Sequence, residues 1–100
     1  MAAKKKLKAV VVTTEFRGVF FGYVKDDKNF PETMTLTGVR NCIYWESSVG
    51  GVFGLAATGP SSGSRIGQRV DEMTICKITS LTPCDDTAVK AWESASVYGK

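Results

Sequence analysis

The segment from Ala57 to Arg69, ATGPSSGSRIGQR, carries side chains that could bind an anion. It contains three glycines spaced by four residues, one proline, two arginines and no acid. Glycines let successive backbone N–H groups converge on an anion, and hydroxyl and guanidinium groups donate hydrogen bonds to phosphate oxygens. The residues we expect to bind phosphate are Arg65, Arg69, Thr58, Ser61, Ser62 and Ser64. The alternative is a flexible surface loop whose arginines are solvated.

Arginine and aromatic residues also occur together in the stretch RNCIYW, which begins at Arg40. Alternate residues of a strand share a face. One face would carry Arg40, Cys42 and Tyr44, and the other Asn41, Ile43 and Trp45. A nucleotide base could stack on Tyr44 or Trp45, and Arg40 and Asn41 would bind the edges of the base or its phosphates. In the alternative interpretation, Ile43 and Trp45 are core residues and Arg40 faces solvent.

The composition disfavours a catalytic function. The chain has no histidine, so it has neither a Ser-His-Asp set nor an H-E-x-x-H metal site. The serine-rich loop matches neither the Walker pattern nor the dinucleotide-binding glycine pattern. The cysteines of the chain are Cys42, Cys76 and Cys84, and they lack C-x-x-C spacing. We therefore expect no catalytic residue, no metal site and no cofactor.

The positive charge of the chain is concentrated near its beginning. Four of the thirteen basic residues are Lys4, Lys5, Lys6 and Lys8. Without these four, nine basic residues remain against ten acidic ones. We expect residues 1–8 to form a basic flexible tail and residues 9–100 to form a single globular domain, because a chain of this length supports one modest core. Since no apolar run is long enough to span a bilayer or to form a signal peptide, the expected location is the cytoplasm.

Alternating and β-branched patterns predict a fold rich in strands. A glycine inside such a pattern is typical of a break or bulge, and clusters of Asp, Asn, Ser and Gly are typical of turns. The strands and turns predicted in this way are a strand at Lys8 to Thr14, a strand at Val19 to Lys25, a turn at Asp26 to Asn29, two strands in Thr33 to Trp45 broken at Gly38, a turn at Ser47 to Gly51, a short strand at Val52 to Ala57 and a strand at Val70 to Leu81.

The end of the chain has the pattern of a helix. Thr82 could cap this helix and Pro83 suits its first position. Apolar residues then recur at helical spacing, and Trp92 among them would lie on the sheet. The predicted fold class is therefore α+β: a small, mostly antiparallel β-sheet or partly closed barrel of about five or six strands with one C-terminal helix.

Several stretches together resemble a family of uncharacterised small proteins of phages and prophages. They are VVVTTEFRGVFFG, RNCIYW, GLAATGP, RIG and a closing A-x-x-A-W-E helix. The resemblance covers about residues 9 to 95 and implies a phage setting, in which small proteins without catalytic signatures often antagonise host defences. One such group forms oligomeric sponges that sequester nucleotide immune signals, which is an analogy of strategy and not of motif.

These observations favour a non-enzymatic phage accessory protein that binds a small anionic nucleotide, of the cyclic or ADP-ribose type. Homo-oligomerisation would complete its pocket, because pairing increases the burial that a short chain can achieve. A protein-interaction module that inhibits a host protein through a sheet edge or an aromatic patch is one alternative. Nucleic-acid binding through the lysine tail and the aromatic strands is another. We expect no membrane partner.

Overall fold

The computed structural model describes residues 7–15, 18–25 and 34–98 of the chain. The strands are β1 (Leu7–Thr14), β2 (Val19–Lys25), β3 (Met34–Tyr44), β4 (Arg65–Ile66), β5 (Val70–Ile75) and β6 (Ile78–Pro83). The α-helices are α1 (Gly51–Ala57) and α2 (Asp86–Ser94), and a 3₁₀ turn spans Ser47–Val49. The first two predicted strands are confirmed. The basic tail, apart from its last two residues, and the turn predicted at Asp26 to Asn29 lie outside the described residues. Neither described helix is long and apolar enough to cross a membrane.

The six strands form one antiparallel sheet in the order β4-β3-β2-β1-β6, and β5 also pairs with β3. β3 is long enough to pair with β5 along its first half and with β4 at its end. Within the described residues no ladder joins β5 to β6, so the sheet is not closed into a barrel. Only Cys76 and Lys77 separate β5 from β6, so the two edges of the sheet lie within about 10 Å of each other at this corner. The sheet is therefore strongly curled.

Both faces of the central strands are buried, which explains their nearly continuous apolar sequence. Val11 faces the helices, whereas its neighbours Val10 and Val12 face the inside of the curled sheet. The helix-side cluster contains Val11, Val19, Phe21, Cys42, Val49, Leu55, Ala56, Ile66, Ala88 and Trp92. The sheet-side cluster contains Val10, Val12, Met34, Leu36, Val39 and Ile75.

Trp92 anchors α2 on the sheet, as the helical spacing predicts. Its indole ring stacks on Phe21, with 5.0 Å between ring centroids and an interplanar angle of 8°. The indole N–H donates a hydrogen bond to the carbonyl of Leu55 at 3.0 Å. Trp92 therefore joins α2 to both β2 and α1, and its buried polar atom is satisfied.

The start predicted for α2 is wrong. The helix begins at Asp86 and its N-cap is Asp85, beyond the predicted cap at Thr82. Thr82 and Pro83 instead extend β6, where they pair with β1. Proline is tolerated at the end of an edge strand because no further partner needs its missing N–H. Thr82 and Pro83 suit either the start of a helix or the end of an edge strand, so their residue types alone do not distinguish the two.

The strand predicted at Val52 to Ala57 is also wrong, since this stretch forms α1. Val52, Leu55 and Ala56 have the spacing of one helix face, and all three pack in the helix-side cluster. Gly50, which precedes α1, and Gly51, which is its first residue, have φ angles of 90° and 75°. This left-handed backbone turns the chain before the helix and favours glycine. The fold is thus α+β with two α-helices in its described part instead of one.

Two residues with positive φ angles, Gly38 and Lys77, explain where the observed strands differ from the predicted ones. Gly38 has φ 58°, but β3 continues through it as a single strand, with a register irregularity where it pairs with β2. The break predicted there is therefore a bulge. Conversely, the strand predicted at Val70 to Leu81 is divided into β5 and β6 at Lys77, which also has φ 58°. The divided strand can then pair with both edges of the sheet.

Candidate functional site

An arginine and two tyrosines form an exposed cluster at the edge of the sheet. Arg65 on β4 lies directly opposite Tyr44 on β3. The guanidinium carbon of Arg65 is 5.3 Å from the ring centroid of Tyr44 and 5.0 Å from that of Tyr98. The two tyrosines are 49% and 53% exposed. We call Arg65, Tyr44 and Tyr98 the arginine-tyrosine site.

The short strand β4 orients Arg65. Ile66 is buried in the helix-side cluster, and adjacent strand residues point to opposite faces, so Arg65 is exposed. Pairing between β3 and β4 skips Ile43, so Cys42 lies opposite Ile66 while Tyr44 lies opposite Arg65. This irregularity brings an aromatic ring beside the guanidinium, as bulges commonly redirect side chains.

Tyr98 comes from the segment that follows α2. A parallel bridge joins Val97 to Ile66, and the backbone N–H of Tyr98 donates to the Ile66 carbonyl at 2.9 Å. The same segment is fixed at Ala95, whose carbonyl accepts a hydrogen bond from Arg40 at 2.8 Å. These backbone contacts position the Tyr98 ring over Arg65.

The arginine-tyrosine site combines an exposed guanidinium with aromatic surface. Within the described residues Arg65 makes no ion pair. A cation over an exposed aromatic ring is worth about 0.5–1 kcal/mol, so its contacts with the tyrosines are weak enough to be exchanged for those of a ligand. The guanidinium can donate paired hydrogen bonds to a phosphate, and the tyrosine rings can stack on a planar group.

One of the predicted phosphate-binding hydroxyls, that of Ser61, contacts an acid from outside the loop. Ser61 donates a hydrogen bond from its hydroxyl to the carboxylate of Glu46. The hydroxyls of Ser61 and Ser64 are 3.1 Å apart. At Gly63 the Glu46 carboxylate fills the space that a Cβ would occupy. The loop is therefore held around a carboxylate, and its binding of phosphate stays a prediction.

Arg40 is buried, in contrast to the interpretation that puts it on the solvent face. It is 3% exposed, whereas Ile43, which that interpretation makes a core residue, is 52% exposed. Arg40 donates to the carbonyls of Gly67, Trp92 and Ala95 at 3.0, 2.8 and 2.8 Å. Its Nη2 has no hydrogen-bond partner among the described residues. Burial, and then the positive charge of Arg69, lower the pKa of Arg40 from its ordinary value. That interpretation is wrong for both residues, because α2 covers the face of β3 that carries Arg40 and Ile43 lies on the opposite face.

Arg69 lies in a separate polar cluster with Glu93 and Tyr23. It forms an ion pair with Glu93 and donates to the carbonyl of Gly38 at 3.0 Å. The Tyr23 hydroxyl donates to the same carboxylate. Burial, followed by the hydrogen bond to Glu93 and its negative charge, raises the pKa of Tyr23 to about 12. Arg69 therefore already has a carboxylate partner, whereas Arg65 has none in the part of the chain that the structure describes.

The remaining predicted residues are not brought to the arginine-tyrosine site by any contact of their side chains. Thr58 donates its hydroxyl to the Gly54 carbonyl at 3.1 Å, which holds it at the end of α1. Ser62 is exposed. Asn41 is exposed and its side-chain oxygen lies against Gly67. Trp45 is partly buried against the helix-side cluster, as expected of a core residue.

Burial controls the chemistry of two of the cysteines. It raises the pKa of the Cys42 thiol to about 11. Burial, and then the charge of Asp85, raise the pKa of Cys84 to about 11. Such thiols are weak nucleophiles near neutral pH. Within the described residues no group of three or more cysteine and acidic side chains is arranged to hold a metal ion.

Comparison with known proteins gives a family for the chain. It belongs to the family described as Domain of unknown function (DUF6948), which matches residues 7–92. Neither the curated proteins nor the solved structures include a match. The family match covers Tyr44 and Arg65 but ends before Tyr98.

Proposed function

We propose that this chain is a non-enzymatic binding module for a small anionic nucleotide. The arginine-tyrosine site carries the proposal, because an exposed guanidinium with no carboxylate partner in the described part of the chain lies beside two half-exposed tyrosine rings. Arginine binds phosphate through paired hydrogen bonds, and tyrosine stacks on nucleobases. A nucleotide carries both groups in one molecule, so this combination favours a nucleotide over a simple anion.

In this proposal Arg65 binds a phosphate while Tyr44 or Tyr98 stacks on the base. A hydrogen bond to an ionised group contributes about 1.5–3 kcal/mol and a stacked base about 1–3 kcal/mol. Immobilising the ligand offsets part of this gain. One site of this kind therefore supports weak binding, and an oligomer that presents several sites to one ligand would bind it more tightly.

The resemblance to small phage proteins supports a biological role for such binding. A phage accessory protein could sequester a host immune nucleotide of the cyclic or ADP-ribose type in the host cytoplasm. Sequestration requires binding and no chemical step, so the site needs only to hold its ligand. Homo-oligomerisation belongs to the same proposal, because a second copy would cover the half-exposed rings of Tyr44 and Tyr98.

Replacing Arg65 by alanine tests the proposal. Isothermal titration calorimetry compares the native chain, Arg65→Ala and the matched control Lys90→Ala, which removes an exposed cation from α2. The ligands are cyclic di- and trinucleotides and cyclic ADP-ribose isomers. We expect at least one of them to bind the native chain, with affinity reduced about tenfold or more in Arg65→Ala because charge-assisted hydrogen bonds are lost. The control should change the affinity less than twofold.

Two results would contradict the proposal. If Arg65→Ala and Lys90→Ala weakened binding equally, the ligand would respond to overall charge and not to this site. If no nucleotide of the panel bound the native chain at millimolar concentration, nucleotide binding itself would be rejected. Circular dichroism of each variant verifies that the fold is retained, as expected for the exposed side chain of Arg65.

Protein interaction is the second candidate function, and the exposure of Phe53 favours it. Phe53 is 80% exposed on α1, and tyrosine, phenylalanine and arginine are enriched at protein interfaces. A stoichiometric host protein captured by the native chain, retained after nuclease and nucleotide washing and lost with Phe53→Ser, would support this candidate. Capture that is unaffected by Phe53→Ser would reject Phe53 as its contact.

A further inference from the structure

Glu46 brings a negative charge to the serine loop that leads into the arginine-tyrosine site. Its carboxylate accepts a hydrogen bond from Ser61, and the hydroxyl of Ser61 is 3.1 Å from that of Ser64. Ser64 immediately precedes Arg65 in the chain, and Glu46 follows Tyr44 by two residues. An acid is therefore fixed in the loop that immediately precedes Arg65.

The neighbouring arginines do not balance this acid. Arg69 is paired with Glu93, and buried Arg40 donates to backbone carbonyls. Arg65 can neutralise one negative charge of a ligand through a bidentate contact. Any further negative charge on the side of the serine loop would approach Glu46 instead of a second arginine.

We infer that the arginine-tyrosine site selects nucleotides by phosphate charge, accepting a phosphodiester with one negative charge per phosphate, and that Glu46 rejects nucleoside di- and triphosphates. This inference rests on the proposed nucleotide-binding function and adds to it a specificity-determining residue. It narrows the ligand class to cyclic nucleotides in which each phosphate is a diester with one negative charge. Glu46 acts by like-charge repulsion, which is a common way to exclude wrong ligands.

The selection is electrostatic, so its strength depends on the salt concentration. Repulsion between exposed charges extends over a Debye length of about 10 Å at 0.1 M ionic strength and about 30 Å at 0.01 M. Selection against adenosine triphosphate should accordingly be greater at low salt. The hydrogen bond from Ser61 holds the Glu46 carboxylate against the loop that precedes Arg65, so the position of its charge is fixed.

The experiment compares ligands with the same base and different phosphate charge. Isothermal titration calorimetry in 20 mM buffer with EDTA measures dissociation constants for 3′,5′-cyclic AMP, cyclic diadenylate, ADP and ATP. The proteins are the native chain, Glu46→Gln and the matched control Glu72→Gln, which removes an exposed acid from β5. Glutamine keeps an oxygen that can accept the hydrogen bond from Ser61, so Glu46→Gln removes the charge and preserves the contact.

We expect the native chain to bind cyclic AMP and cyclic diadenylate more tightly than ATP. Glu46→Gln should lower the ratio of the ATP to the cyclic AMP dissociation constant about threefold or more, as expected for removal of one nearby charge. Glu72→Gln should leave this ratio within about 1.5-fold of its native value. An unchanged ratio in Glu46→Gln, or native binding of ATP as tight as that of cyclic AMP, would overturn the inference.

The same titrations separate failure of the inference from failure of the proposed function. If Arg65→Ala abolished binding of every adenine nucleotide while Glu46→Gln left the ratio unchanged, Arg65 would bind the ligand without selection by Glu46. That result would overturn only the inference. If none of the four nucleotides bound the native chain, both the function and the inference would be rejected.

Discussion

Arg40 and Arg65 are both arginines of the sheet, yet their environments give them different roles. Arg40 donates hydrogen bonds to the carbonyls of Trp92 and Ala95 at the C-terminal end of α2. Helix geometry leaves the last carbonyls without intrahelical donors, and a cation there interacts favourably with the helix dipole. Arg40 therefore joins β3 to the end of α2, whereas Arg65 is exposed and has no ion pair among the described residues.

Replacing Arg40 should destabilise the fold strongly. In Arg40→Met the carbonyls of Gly67, Trp92 and Ala95 lose their donor. Because buried groups left without a partner retain their desolvation cost, we expect the free energy of unfolding to fall by about 3 kcal/mol or more. Urea denaturation followed by circular dichroism measures this change. A loss below about 1 kcal/mol would mean that these hydrogen bonds contribute little.

Tyr23 should make the stability depend on pH in the alkaline range. Its pKa in the folded chain is about 12, above the ordinary value of 10.0, because of burial and then Glu93. A group whose folded pKa is raised stabilises fully below its unfolded pKa, and this contribution is lost as the pH rises through the folded pKa. Between pH 10 and 12 the free energy of unfolding of the native chain should therefore fall more steeply than that of Tyr23→Phe. Urea titrations at each pH test this, and equal slopes would contradict it.

Only part of the candidate site could be predicted from its residue types. Tyr44 and Arg65 belong to stretches that combine arginines with aromatic or hydroxyl residues, which is a usable signal. Tyr98 and Glu46 lie outside both stretches, and no local pattern connects them to Arg65. Their proximity depends on where α2 ends and on how the loop after α1 folds back, which are tertiary properties.

At the scale of elements, α1 depends on the absence of a side chain at Gly54. A Cβ at this position would overlap the carbonyl oxygen of Val49. Glycine is normally unfavourable inside a helix by about 1 kcal/mol relative to alanine. Here the close approach of the helix to the preceding 3₁₀ turn reverses this preference.

Alanine at Gly54 should therefore destabilise the chain although it favours helix formation. We expect Gly54→Ala to reduce the free energy of unfolding by about 2 kcal/mol, because the two backbone segments must separate. Thr87→Ala, in the exposed first turn of α2, is the control and should change stability by less than about 0.5 kcal/mol. The measurement is urea denaturation, and a stabilising effect of Gly54→Ala would show that the close approach is not required.

The sequence predicts an element well when its residue pattern fits only a strand or only a helix. β1 and β2 follow from long β-branched and aromatic runs, and α2 follows from its spacing of apolar residues. The pattern of α1 predicts a strand wrongly because a short apolar run fits either element. Pro83 suits a helix start or the end of an edge strand, and pairing of β6 with β1 decides between them.

At the scale of the whole molecule, the curled sheet assembles the site from distant segments. Tyr44 ends β3, Arg65 begins β4, and Tyr98 follows α2. The helix-side cluster holds these segments in place, since it contains both Ile66 of β4 and Trp92 of α2. The central claim is that a nucleotide binds where these three segments meet.

A titration followed by nuclear magnetic resonance tests this claim most directly. Backbone amide and arginine side-chain N–H signals of the ¹⁵N-labelled native chain are recorded while cyclic diadenylate and then 3′,5′-cyclic AMP are added. We predict that the largest shift changes occur at Tyr44, Arg65 and Tyr98, with little change at Thr74 on β5. Shift changes centred elsewhere, or none at millimolar ligand, would contradict the claim.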